Sequence, residues 1–95
     1  MVHTAIWHGK VIARSDRTLE VDGYVYFPRE TVHMELLEAT PRTANDLKCP
    51  HGVQFYDVVE AGERSARAAW SYEAPQPRMK PVERWIGFWE DVRVE

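Results

Sequence analysis

Within one short stretch the chain sets Lys48, Cys49 and His51 almost side by side. A thiol attacks as the thiolate, and a nearby cation lowers its pKa and favours that form. Imidazole titrates near neutral pH and suits proton transfer. Cys49, His51 and Lys48 are therefore the catalytic candidates. A simpler reading competes with this one: Pro50 holds Cys49 extended at the entrance to a strand, where a small thiol packs. No third group stands out to orient His51, which favours packing. Cys49 and His51, with His8 or His33, fall short of a structural zinc set, because such sites take four ligands with paired spacings and the chain has one cysteine. No metal and no cofactor is expected.

Arg29, Arg42 and Lys48 are candidates to hold a phosphate or carboxylate near the central loop, since guanidinium groups bind such anions through paired hydrogen bonds. Tyr56, Trp70 and Tyr72 are candidates to line an aromatic pocket, with hydroxyl or indole groups orienting a ligand. Against both stands an ordinary role: ion pairs beside Glu30 and Asp46 for the cations, and core packing for the rings, each worth on the order of 1.5–3 kcal/mol when buried.

The elements that must position these groups are mostly strands. Lys10 to Arg14 carries the apolar run Val11, Ile12, Ala13 and closes on Ser15 and Asp16. Thr18 to Asp22 alternates apolar Leu19 and Val21 with acidic Glu20 and Asp22, the period of a strand with one wet face. Asp22 and Gly23 suit a two-residue hairpin leading into Tyr24–Phe27. In that strand Tyr24 and Tyr26 face opposite Val25 and Phe27; an exposed aromatic face there would point to a homodimer. Pro28 suits a first helical turn, and Val32 and Leu36 at i, i+4 predict one short helix over 29–37. The stretch 40–48 reads as a loop, with Pro41, Asn45 and Asp46 and no period.

Residues 53–60 have apolar side chains in both alternating sets, Val53, Phe55 and Val59 against Tyr56 and Val58. That pattern predicts a central strand covered on both sides. A turn about Gly62 leads to a strand over 66–72, where Ala66, Ala68 and Ala69 leave room for Trp70. Pro75, Pro77 and Pro81 imply an extended segment. Residues 86–89 and 92–94 read as a closing hairpin about Glu90 and Asp91, and His3 as a flexible terminal residue.

Composition narrows the function classes. Ninety-five residues make one domain, and 44% apolar with 28% charged residues is ordinary for a globular protein. The net charge of −3, with Lys and Arg scattered among acidic residues, argues against nucleic acid as a partner. Apolar runs are far shorter than the ~20 residues that cross a bilayer, so no membrane partner is expected. One cysteine and an N-terminus broken by His3, His8 and Lys10 suggest a cytoplasmic protein.

Several short motifs then fall in one order: Trp7, His8, Gly9, Lys10, Val11, Ile12, Ala13; Tyr26, Phe27, Pro28; Leu36, Leu37; Cys49, Pro50; Ala69, Trp70, Ser71, Tyr72; and Gly87, Phe88, Trp89. In this the chain resembles, nearly end to end, the small bacterial family catalogued as domain of unknown function 427. The resemblance implies a mainly β fold of compact, coiled antiparallel sheets, barrel-like and similar in class to the Mss4-like folds, with one short helix near 29–37. The nucleotidyltransferase-like label sometimes given to the family carries no general activity. Where the family usually reads threonine, any residue, cysteine, proline, aromatic, lysine, glycine, this chain reads Leu47, Lys48, Cys49, Pro50, His51, Gly52. One residue is missing, and a role held by that lysine passes here to Lys48 or His51 or is lost.

The leading expectation is a domain that binds a small anionic or aromatic metabolite between the 43–52 loop and the Trp70 strand, with Arg29, Tyr56, Trp70 and Tyr72 as ligand contacts. The alternatives are a small enzyme using Cys49 and His51, or an accessory domain acting through a partner surface.

Overall fold

Alternating side chains drive the chain into two antiparallel sheets, seen in a computed structural model that describes residues 2–95. Strand β1 (His3–Trp7) and β2 (Lys10–Ser15) form a hairpin, and β9 (Arg93–Val94) pairs with the other edge of β1. The larger sheet has six strands in the order β3 (Leu19–Val21), β4 (Tyr24–Phe27), β8 (Ile86–Phe88), β7 (Glu63–Tyr72), β6 (Val53–Glu60), β5 (Leu37–Ala39). The fold is thus mainly β, and no helix among the described residues is long and apolar enough to cross a membrane.

The hairpin expected at Asp22 and Gly23 is present. Their φ angles of 53° and 86° are the left-handed pair that a two-residue turn requires, and Val21 pairs directly with Tyr24. Strand β6 is interior, flanked by β5 and β7, as its doubly apolar pattern predicts. Each face of the large sheet has its own core. One face packs on the small sheet and buries Ala5, Trp7, Ile12, Phe27, Tyr56, Val58, Ala69, Ile86 and Phe88. The other buries Tyr26, Val53 and Trp70 beneath Met79 and Val82. Tyr26 and Phe27 therefore enter different cores, as neighbours on a strand must.

Five expectations are corrected. The single helix over 29–37 is instead two 3₁₀ turns, Arg29–Thr31 and Met34–Leu36. Between them Val32 is extended and bridges Ala13, and His33 N–H donates to the Ile12 carbonyl at 2.8 Å. Burial of β-branched Val32 against β2 overrides the helical spacing. The stretch read as a loop holds the one α-helix among the described residues, α1 (Ala44–Leu47), a single turn. Its start is a capping box: Thr43 Oγ1 accepts from Asp46 N–H and Asp46 Oδ2 accepts from Thr43 N–H. The proline-rich segment winds into a 3₁₀ helix, Pro77–Val82, with Pro77 at its start and Met79 and Val82 buried over the outer core. Residues 86–94 form no hairpin: Glu90, at φ 57°, turns the chain out of the large sheet, and β9 joins β1 in the small one. His3 likewise is not loose. It lies in β1, and its Nδ1 is 2.8 Å from Thr18 Oγ1.

Candidate functional site

The register of β6 and β7 decides which candidate residues meet. The two strands are joined by the left-handed residues Ala61 (φ 50°) and Gly62 (φ 80°), so Glu60 pairs with Glu63. Farther along, Val53 pairs with Tyr72 and Phe55 with Trp70, which puts all four side chains on the outer face; Tyr56 pairs with Ala69 on the inner face. The expected grouping of Tyr56 with Trp70 and Tyr72 is therefore split by the sheet itself.

Trp70 organises the outer face. It is 5% exposed and lies opposite Gly87 of β8. A Cβ at Gly87 would sit 2.7 Å from Trp70 Cζ2, so the bare glycine is what lets the indole lie against the strand. Tyr24 and Tyr26 meet the Trp70 ring edge to face, with centroids at 5.1 and 5.8 Å, and Trp89 meets it at 5.5 Å and 70°. These rings surround a cavity of about 130 Å³ lined by Tyr24, Val53, Phe55, Trp70, Tyr72 and Trp89. Tyr24 and Trp89 stand at its rim, 40% and 37% exposed. Burial raises the Tyr26 phenol well above the ordinary tyrosine pKa, so it stays protonated beneath the pocket.

Arg67, which the motifs did not single out, does not line the cavity but contacts two residues that do, Phe55 and Trp89. A β-bulge shifts the register between Tyr56 and Val58, and opposite it Arg67 adopts φ 53°, a left-handed conformation costly for a side-chain-bearing residue. Three contacts hold it there. Its N–H donates to Asp57 Oδ1 at 2.8 Å, its carbonyl accepts from Trp89 Nε1 at 2.6 Å, and its guanidinium lies 4.0 Å over the Phe55 ring. The same guanidinium makes two hydrogen bonds to buried Asp46, at 2.8 and 3.1 Å. Those bonds, with the Thr43 N–H, hold the Asp46 carboxyl down at about 2, while Asp46 raises the Arg67 pKa. One residue thus ties α1, the bulge, Phe55 and Trp89 together.

The residues expected to be catalytic lie beside this pocket and do not line it. Cys49 is a half-buried free thiol packed against the outer core, in contact range of the cluster formed by Tyr26, Val53 and Trp70. His51 lies against Tyr72 with ring centroids 5.1 Å apart, and its Nδ1 accepts from Gln76 N–H at 3.0 Å. That bond places the proton of the neutral ring on Nε2. Among the described residues no hydrogen bond links Cys49 to His51, and Lys48, at the end of α1, is exposed and outside every ion pair. No group of three or more His, Cys, Asp or Glu side chains is placed as metal ligands would be among the described residues.

Arg29 faces the opposite way. Its guanidinium donates to Glu73 Oε2 at 2.9 Å, Ser71 Oγ at 3.2 Å, the Arg84 carbonyl at 2.9 Å and Tyr56 Oη at 3.5 Å. Ser71 also donates to Glu73, and Arg84 pairs with Glu73 at 2.9 Å. This network sits on the inner side with Tyr56 and fully buried Ser71, so Arg29 and Tyr56 lie apart from the outer pocket. Arg29 spends its donors on Glu73 and its neighbours, while Arg42 and Lys48 are exposed.

A two-layer β domain with an aromatic pocket on its outer face describes the class. The chain belongs to the family described as Domain of unknown function (DUF427), whose model matches residues 3–95. No curated protein matches it in sequence.

Proposed function

We propose that this domain is a small-molecule-binding module whose ligand inserts a compact group among Tyr24, Phe55, Trp70, Tyr72 and Trp89. The observation that supports the reading is the concentration of five aromatic side chains around one cavity of about 130 Å³. An apolar cavity of about 150 Å³ accepts benzene, so the space suits a group of roughly that bulk. Ligand sites are typically apolar and aromatic hollows with few polar groups, and the tyrosine hydroxyls supply such groups here. The lining contains no cationic side chain, so the reading keeps the aromatic half of the sequence-based expectation and gives up the anionic half. A chain with one free thiol and no disulfide suits a reducing, cytoplasmic setting.

Acid–base or thiol chemistry at Cys49 and His51 receives less support, because the thiol packs on the outer core and His51 Nδ1 is engaged by Gln76. The test is intrinsic tryptophan fluorescence during titration with small organic probes, with Trp89→Ala and Cys49→Ala in parallel. Saturable binding that is weakened at least about tenfold by Trp89→Ala and untouched by Cys49→Ala is expected. Binding that depends on Cys49 and ignores Trp89 would refute the reading. So would a protein whose mass doubles with concentration and whose Tyr24 and Trp89 are covered by a second copy.

A further inference from the structure

We infer that the group this pocket receives is a methylated ammonium cation, the trimethylammonium head of a choline-like molecule being the type; the inference rests on the pocket being a ligand site. Three observations carry it.

The first is the disposition of the rings. A planar ligand is held best between two parallel rings about 7 Å apart, which leaves about 3.5 Å on each side for contact. The nearly parallel pair at this site, Phe55 and Trp89, has centroids only 6.1 Å apart, too close to admit a third ring. The remaining walls stand across one another, Tyr24 at 88° to Trp70 and Trp70 at 70° to Trp89. Crossed walls make a box, which fits a rounded group better than a flat one.

The second is charge. The aromatic face is the negative end of the ring quadrupole and attracts cations, above all those whose methyl groups hinder hydration. Nothing in the lining offsets that attraction with a positive charge of its own, and the chain as a whole carries −3. An anion brought to the same walls would meet aromatic rings and no ion-pair partner in the lining.

The third is that this set of rings already holds one cation. The Arg67 guanidinium lies 4.0 Å over Phe55, and its charge is matched by the two hydrogen bonds to Asp46, so it does not repel a second cation from the cavity. The cavity of about 130 Å³ has room for roughly four water-sized groups, the bulk of a nitrogen and three methyls.

Calorimetric titration at constant ionic strength with choline chloride, with its uncharged isostere 3,3-dimethylbutan-1-ol, and with indole separates the outcomes. Choline is expected to bind at least about tenfold more tightly than the isostere. Tyr24→Ala and Trp89→Ala, both at exposed positions, are expected to weaken choline at least about fivefold each, while circular dichroism shows the fold retained. Equal binding of choline and its isostere, or binding of indole alone, overturns the cation assignment and leaves the pocket standing as a ligand site. Absence of saturable binding for all three overturns both.

Discussion

Replacing Gly87 with alanine tests the packing on which the pocket depends. The added Cβ would lie 2.7, 2.8 and 3.1 Å from three carbons of the Trp70 indole, against the 3.5–4.0 Å at which carbon atoms rest, a shortfall of roughly 1 Å. Backbone strain does not enter, since Gly87 is absent from the positive-φ residues and alanine suits a strand there. The indole cannot simply withdraw, because Tyr24, Tyr26 and Trp89 hold its other sides. Overpacking of this kind costs about 1–3 kcal/mol. In a domain of this size 1 kcal/mol moves the midpoint by roughly 4–8 °C, so a loss near 2 kcal/mol lowers Tm by roughly 8–16 °C. Differential scanning calorimetry reads this directly, and the same substitution in a Trp70→Leu background is expected to cost less than about 0.5 kcal/mol, because the atoms it strikes are gone. A Gly87→Ala protein that melts within about 2 °C of the parent would refute the account of Trp70 lying against a bare strand.

Two further perturbations probe the supports on either side of the sheet. The Asp46 carboxyl is held at about 2, below its ordinary value of 3.8, so the Arg67 pair contributes fully above that ordinary value and is lost as pH falls toward about 2. Urea midpoints measured from neutral pH down to about 2 should therefore fall more steeply for the parent than for Asp46→Asn, and parallel curves would contradict this. Arg29→Met leaves Ser71 and Glu73 short of a donor inside the fold and is expected to cost about 1–3 kcal/mol in urea unfolding, yet to leave ligand titrations at the outer pocket unchanged. A change in binding without a change in stability would return Arg29 to the site.

The sequence made the local geometry of the strands readable where turn chemistry and alternation agreed, as at Asp22–Gly23 and along 53–60. It also held a signal for the split site. A two-residue turn at Ala61 and Gly62 pairs odd with even positions, which puts Phe55 on the same face as Trp70 and turns Tyr56 away, and the two-residue shift at the bulge keeps that parity. Thr43 and Asp46, three apart, likewise marked the start of α1. Other features depend on long-range contact and have no local trace. Val32 breaks the 29–37 helix by docking on Ala13, and Trp89 is brought to Phe55 by a bond to a bulge residue, Arg67, distant in sequence. Strand β1 is half local: it pairs with β2 through a two-residue turn at His8 (φ 51°) and Gly9 (φ 74°), while its other partner, β9, is distant in sequence.

That last pairing bears on the order of assembly. Thr4 and Glu95 exchange two backbone hydrogen bonds, at 2.9 and 2.8 Å, so the smaller sheet is closed by residues almost the full length of the chain apart. On a ribosome, the first hairpin must wait with one edge bare until residues 93–95 have emerged, and completing that sheet becomes the late, slow step expected of distant strand partners.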